Sequence, residues 1–308
     1  MNHAYGNAPM GVMDPPSVVL PKQEHFAQRA QRLCDLSERI EPLRDFLAFM
    51  AQLSQAQQRA LERNTPAWLP EPDAFVLALE HGMPPLGTQA LCRDIDFHSE
   101  LTALLDGLDL HIGEAQRPLL DTLRKLPKEE IDRLAQEVLD ARPGPEASRG
   151  LMPLIAAALQ VAWLRLVRTL PHPPKRPTAE ARSLCPCCGS LPVASIIQID
   201  SKRSGVRYLQ CGLCATQWYL ERSKCSVCDQ SGKLDYLSLE DEAGERLLPT
   251  QAETCGDCHS YLKIMPCEFD AHAEPLADDL ASLALDLLLA EEKQYRRSGF
   301  NPLLIVGE

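Results

Sequence analysis

Tyr208–Cys228 reads YLQCGLCATQWYLERSKCSVC and holds two CxxC pairs, Cys211/Cys214 and Cys225/Cys228, ten residues apart. A third pair, Cys185/Cys188, lies 22 residues upstream in CPCCG, and a fourth, Cys255/Cys258, lies 26 residues downstream in CGDC. Two thiolates separated by two residues can grip one ion from a tight turn whose backbone amides point at the sulfurs. Two such knuckles supply the four soft ligands of a tetrahedral site. Each longer gap accommodates one strand-turn-strand unit. Four pairs in series therefore predict two four-thiolate sites built from Cys185, Cys188, Cys211, Cys214, Cys225, Cys228, Cys255 and Cys258. Sequential pairing is the simplest arrangement, and crossed pairing satisfies the same spacing. Four thiolates suit Zn(II) or mononuclear iron, with zinc the first choice on ligand type alone.

The other cysteines read differently. Cys187 sits inside the first pair, where Cys185/Cys188 keeps the two-residue spacing, so it is not expected to be the usual ligand; an alternative register or a free reactive thiol is the other reading. Cys34 and Cys267 read as buried small side chains. Around the knuckles, VASIIQID, VRYLQC, TQWYL, LDYLSLE and SYLKIMPC are strand-like, with turn signals between them. This predicts a small β domain of two tandem rubredoxin-like or zinc-ribbon modules, 183–220 and 221–272.

Upstream the texture is helical. HFAQRAQRLCDLSERI carries an apolar stripe through Phe26, Ala30, Leu33 and Ile40. LRDFLAFMAQLSQAQQRALER places Leu43, Phe46, Leu47, Met50, Leu53 and Leu61 on one face. Segments 97–109, 112–125 and 128–140 also read as helices. The apolar run Leu151–Leu170 contains Arg165 and Arg168, which marks it as a central buried helix rather than a membrane span. PHPPKRPTAEA then stops helix formation and reads as an extended linker, 171–182. The expected organisation is a flexible arm over 1–20, a mainly α-helical domain over 21–170, the linker, the two ribbons, and a C-terminal helix and tail over 273–308. That last helix is expected to run from near Pro275 to Gly299. Asp279, Ser282 and Asp286 fall on one of its faces and are a possible partner surface.

Charge narrows the function. The chain of 308 residues carries 31 Lys+Arg against 43 Asp+Glu, a net charge of -12. Residues 181–270 hold nine basic and twelve acidic side chains, and a divalent ion in four thiolates adds two further negative charges per site. That disfavours a nucleic-acid adaptor. The KRSGVR cluster, Lys202–Arg207, reads as a solvated hairpin turn. No GxGxxG, Walker A, HExxH or GxSxG pattern, and no paired-carboxylate site, points to an enzyme. No stable membrane insertion is expected, and the first twenty residues lack a secretory pattern. A cytoplasmic setting follows, in which paired cysteines bind metal rather than form disulfides.

CPCCGSLPVAS from Cys185, YLQCGLCATQWYLERSKCSVC from Tyr208, CGDCHSYLKI from Cys255, ADDLASLALDLL from Ala277 and RRSGFNPLL from Arg296 resemble, in this order, the formate dehydrogenase accessory protein FdhE family. The resemblance implies a cytoplasmic, non-enzymatic factor for assembly, maturation or activation of respiratory formate dehydrogenase. It implies binding to the catalytic subunit of that enzyme. It also implies iron held by the four CxxC pairs as two mononuclear sites, which raises iron above zinc. A rubredoxin-like iron redox protein is the alternative.

Overall fold

The computed structural model describes residues 15–65, 69–88, 95–114, 116–141, 150–178, 181–199, 204–291 and 294–304. Residues 1–14 of the expected arm, Cys92, and Lys202 and Arg203 of the KRSGVR cluster lie outside them.

The helical half is built around one apolar element. Helix α7 (Met152–Val167) is apolar on nearly every face, so it can be satisfied only at the centre. Pro153 sits in its first turn, where the missing N–H costs nothing. Against it pack α2 (Arg44–Arg63), α4 (Phe97–Asp109) and α6 (Lys128–Leu139); α1 (His25–Arg39) packs on α2, α5 (Arg117–Lys125) on α4, and α3 (Val76–Glu80) adds Leu79 to the same core. Asp96 caps α4 by accepting from the Ser99 amide at 3.2 Å. Trp163 of α7 is fully buried, and its indole N–H donates to the Leu86 carbonyl at 3.0 Å.

The sheet half contains β2 (Pro192–Ile199), β3 (Ser204–Cys211), β4 (Gln217–Tyr219), β5 (Leu234–Glu240), β6 (Arg246–Cys255) and β7 (Ser260–Pro266). Strands β2, β3 and β4 form one antiparallel module; β5, β6 and β7 form the other. The modules fuse edge to edge through parallel pairing of β2 with β7, with Ser195 opposite Ile264. The expected tandem ribbons therefore share one continuous sheet. Val18–Val19 (β1), within the stretch expected to be a loose arm, pairs with β4, and Val18 lies opposite Trp218.

The two halves share a core. Leu33, Leu53, Leu159 and Trp163 belong to the same buried cluster as Cys185, Cys188, Cys211, Cys214 and Leu276. The proline-rich stretch between the halves is extended and stitched down. Arg176 pairs with Glu221 and stacks over Tyr219, and the Trp218 indole donates to the Arg182 carbonyl at 2.8 Å.

The C-terminal segment differs from the single helix expected there. It is broken into α8 (Pro275–Ala281) and α9 (Leu283–Glu291), and Arg296–Arg297 form a short strand, β8, beside β7. The break falls at Ser282, whose hydroxyl donates back to the Asp278 carbonyl at 2.7 Å while its backbone leaves the helical region. Glu274 starts α8 by accepting from the Ala277 amide at 2.7 Å.

Candidate metal centres

Local backbone geometry makes the same knuckle four times. In the first pair, the Gly189 amide donates to the Cys185 carbonyl at 2.8 Å, and the Cys185 amide donates to the Ser190 carbonyl at 2.9 Å. The Cys211 amide donates to Thr216, the Cys225 amide to Gln230, and the His259 amide to the Cys255 carbonyl, each at 2.9 Å. The residue after the second cysteine is left-handed in every knuckle: Gly189 (φ 76°), Ala215 (φ 59°), Asp229 (φ 64°) and His259 (φ 51°). Three of these carry a Cβ in a region that costs roughly 1–2 kcal/mol for an L residue. The same left-handed turn at four equivalent positions, strained at three of them, is the mark of a turn held for its cysteines.

The knuckles pair sequentially. The sulfurs of Cys185, Cys188, Cys211 and Cys214 lie within 4.8 Å of one another, as do those of Cys225, Cys228, Cys255 and Cys258. Crossed pairing is excluded by this sheet, because β2–β3 joins the first two knuckles and β5–β6 the last two. In the first quartet, Cys185–Cys214 is 3.5 Å and Cys188–Cys211 is 3.4 Å between sulfurs; in the second, Cys225–Cys258 is 3.8 Å and Cys228–Cys255 is 3.6 Å. A tetrahedron of metal–sulfur bonds of about 2.3 Å has sulfur–sulfur edges of about 3.8 Å. Both quartets fit a single ion, the first with slight expansion.

The amides are placed for thiolates. Leu213 and Cys214 both direct N–H groups at Cys211 Sγ at 3.4 Å, and Val227 does the same for Cys225 Sγ at 3.4 Å. Thr216 Oγ1 lies 3.2 Å from Cys214 Sγ, and Ser260 Oγ lies 2.8 Å from Cys258 Sγ. Without an ion, burial pushes Cys185 and Cys214 well above the ordinary thiol range and Cys225 to about 12. Cys258 moves down: burial opposes this, but the Ser260 hydroxyl and the Cys228 thiol stabilise its thiolate. Cys188 moves down as well: burial opposes this, but the Cys185, Cys211 and Cys214 thiols stabilise its thiolate. A bound cation would hold all four sulfurs of each quartet as thiolates.

The surroundings of the two centres differ. All four sulfur ligands of the first are buried, whereas Cys228 and Cys258 of the second are partly exposed. The first is also gripped by the helical half. Gln160, the one polar residue buried in α7, donates to the Gly212 carbonyl between Cys211 and Cys214 at 2.6 Å, and accepts from Gln57 at 2.8 Å and Arg29 at 3.2 Å. The Leu86 amide donates to the Cys187 carbonyl at 2.8 Å. Cys187 is buried beside the cluster without joining the four.

These features belong to a known family. Models of the FdhE N-terminal, central and C-terminal domains match residues 15–180, 184–222 and 223–304. The chain belongs to the FdhE family. It is 42% identical over 298 residues to a protein FdhE homolog of Pseudomonas aeruginosa, covering 95% of this chain and 94% of that one. It is 38% identical over 299 residues to protein FdhE of Escherichia coli K12, covering 95% and 92%. The crystal structure of the FdhE protein from Pseudomonas aeruginosa superposes with a TM-score of 0.83 at 39% identity, over 96% of this chain and all of that one. The relatives are named as FdhE proteins, and none of these names is that of an enzyme.

Two expectations are corrected by burial. Asp279 and Ser282, expected on a partner-facing surface, are 0% and 1% exposed, and the Asp286 side chain is mostly covered. Asp279 takes two hydrogen bonds from Arg297 at 2.7 Å, one from Asn301 at 2.8 Å, and an ion pair with Lys263 at 3.2 Å. Asp286 accepts from Lys263 and from the Tyr261 hydroxyl, each at 2.7 Å. These acids bind the terminal helices to β7 and the tail, and are not available to a partner in this arrangement. Arg207, expected in a solvated turn, is 0% exposed and paired with Glu253 at 2.7 Å. Among the described residues no helix is long and apolar enough to cross a membrane.

Gln160, Gly212 and Arg207 were not singled out as supports of the centres from sequence. Gln160 had a signal: it is the one uncharged polar side chain in the middle of the Leu151–Leu170 apolar run. Buried amides in such runs need partners.

Proposed function

We propose that the chain is an accessory factor for assembly, maturation or activation of respiratory formate dehydrogenase, that it works in the cytoplasm, and that it binds the catalytic subunit of that enzyme. The observation that supports this most is likeness to FdhE proteins along nearly the whole chain, with both cysteine quartets assembled. The physical design suits a binding scaffold. Two stapled centres stiffen a sheet whose hydrophobic core is shared with the helices, so a rigid surface is available for binding. Net charge of -12 suits a protein partner better than a nucleic acid.

Iron is the proposed occupant, as two mononuclear four-cysteine sites held by Cys185, Cys188, Cys211 and Cys214 and by Cys225, Cys228, Cys255 and Cys258, with zinc the alternative. An ion held this way supplies cross-linking and, if it is iron, a one-electron couple. The partial exposure of Cys228 and Cys258 favours the rubredoxin-like reading as the second one, because electron transfer needs an approachable ligand. Elemental analysis with an absorption spectrum separates these: zinc alone removes the redox reading.

The function is tested by affinity purification of the tagged full chain from a cell that makes respiratory formate dehydrogenase. Recovery of the catalytic subunit is expected. Its absence from a preparation carrying both metal ions contradicts the proposal.

A further inference from the structure

Arg207 joins the two metal modules through one guanidinium. It lies on β3 of the first module, four residues before Cys211, and is completely buried. Its Nε and Nη2 donate to Ser195 Oγ on the neighbouring strand β2 at 3.2 and 3.0 Å. The remaining contacts leave the first module. Nη2 donates to Glu253 Oε1 at 2.7 Å, and Nη1 donates to the Lys224 carbonyl at 3.0 Å. Glu253 is two residues before Cys255 on β6, and Lys224 directly precedes Cys225. The other carboxylate oxygen of Glu253 accepts from the Tyr236 hydroxyl at 3.1 Å, across the β5–β6 register in which Tyr236 faces Glu253.

The placement is specific. The second quartet consists of one knuckle carrying Cys225 and Cys228 and another carrying Cys255 and Cys258. Arg207 touches the chain just ahead of both. Burying a charged pair is costly, and apolar side chains of equal volume would hold two strands together as well. The arginine fork adds fixed directions to three acceptors on three chain segments, which a lysine or an apolar side chain cannot reproduce. Groups outside the ligand set that fix ligand geometry tune how tightly an ion is held.

We propose that Arg207 is a positioning residue of the second metal centre: it sets the separation of the Cys225 and Cys255 knuckles from within the first module, so that retention of the second ion depends on the first module's fold. This rests on the reading that Cys225, Cys228, Cys255 and Cys258 hold an ion.

The test is zinc release from the zinc-reconstituted full chain to a chelating dye. The wild-type protein is expected to release two ions in two phases, and Cys228→Ser to lose one of them, which assigns that phase to the second centre. Arg207→Gln is expected to speed this phase by about 10- to 100-fold, with the first phase and the thermal transition of the helical half unchanged. Arg207→Lys, which keeps the charge and loses the fork, is expected to release as fast as Arg207→Gln. Tyr236→Phe sits at a half-exposed position that tolerates change and is expected to speed the same phase about threefold. Two ions released at wild-type rates from both Arg207 variants and from Tyr236→Phe overturn the role of Arg207 alone. Equal acceleration of both phases overturns it too, because that is general loosening. A wild-type chain that holds one ion overturns the second centre itself, and the proposal with it.

Discussion

The two candidate metal centres are built on the same turn and sit in different worlds. Each uses two knuckles with a left-handed residue after the second cysteine, and each draws its sulfurs to tetrahedral spacing. The first is buried in a core shared with α1, α2 and α7, and its Gly212 carbonyl is held by Gln160. The second is at the far side of the sheet, with two of its ligands partly exposed. Identical chemistry can therefore do unequal mechanical work. The first centre is part of the joint between the halves of the molecule; the second shapes an outer hairpin.

The sharpest way to break this comparison is to remove one ligand from each centre. Cys188→Ser is expected to cost about 5 kcal/mol or more and to abolish cooperative folding of the whole chain. Cys228→Ser is expected to release one ion and leave the helical transition in place. Circular dichroism melts of the two variants check this, and equal losses would erase the distinction.

Glycines at matched knuckle positions give the next largest contrast. A Cβ on Gly212 would meet the Phe300 carbonyl oxygen at 2.6 Å, where the C-terminal tail crosses the knuckle. A Cβ on Gly256, at the same place in the fourth knuckle, would meet Lys233 Cβ at 3.2 Å, a contact tight by a few tenths of an ångström rather than a clash with a backbone oxygen. Gly212→Ala is expected to destabilise by about 3 kcal/mol and Gly256→Ala by less than about 1 kcal/mol, read from denaturant midpoints.

Acid tests how the first module is anchored. His25 is buried in α1 beside Arg29 and Glu274, and Glu274 also accepts from Gln210 of β3 at 3.3 Å. Burial foremost, and then the Arg29 charge, lower the pKa of His25 to about 3. The unfolded chain, titrating near 6.5, then binds more protons between these values, so this contribution is whole above about pH 6.5 and declines as pH falls toward 3. Between pH 7 and 5 the loss is about 2 kcal/mol. His25→Gln, which keeps an acceptor for Arg29, is expected to flatten that slope in melts across the range; an unchanged slope would assign the acid sensitivity elsewhere.

The smallest effect concerns the left-handed positions. In Gly189→Ala the new Cβ meets only Pro84 Cγ, at an ordinary contact distance of 3.9 Å, so it should cost the conformational term alone, about 1 kcal/mol. The three other knuckles already carry Ala215, Asp229 and His259 there. A much larger loss would mean that the first knuckle has less room than its geometry indicates.

Much of this was legible in the residues. The CxxC spacing identified the four knuckles because a turn motif is local; for the same reason the apolar periodicities located α1 and α2, and the continuous apolar run located α7. What depended on long-range pairing was not. Strand β6, RLLPTQAETC, contains Pro249 and no clean alternation; it is a strand because β5 and β7 flank it. Sequential and crossed pairing of the knuckles differ only in which strands bond. Asp279, Ser282 and Asp286 have helical spacing, which fixes a shared face but not what covers it; Lys263 and Arg297 arrive from β7 and the tail. Arg207 looked like a turn residue, because the acceptors that justify its burial lie at Lys224 and Glu253.

The most direct test of the account is the number of metal ions per chain, measured by elemental analysis of the purified full-length protein and of a variant with Cys225, Cys228, Cys255 and Cys258 all changed to serine. The expected result is two ions in the first and one in the second, with the helical half folded in both. One ion or none in the unaltered protein, or two in the variant, would contradict it.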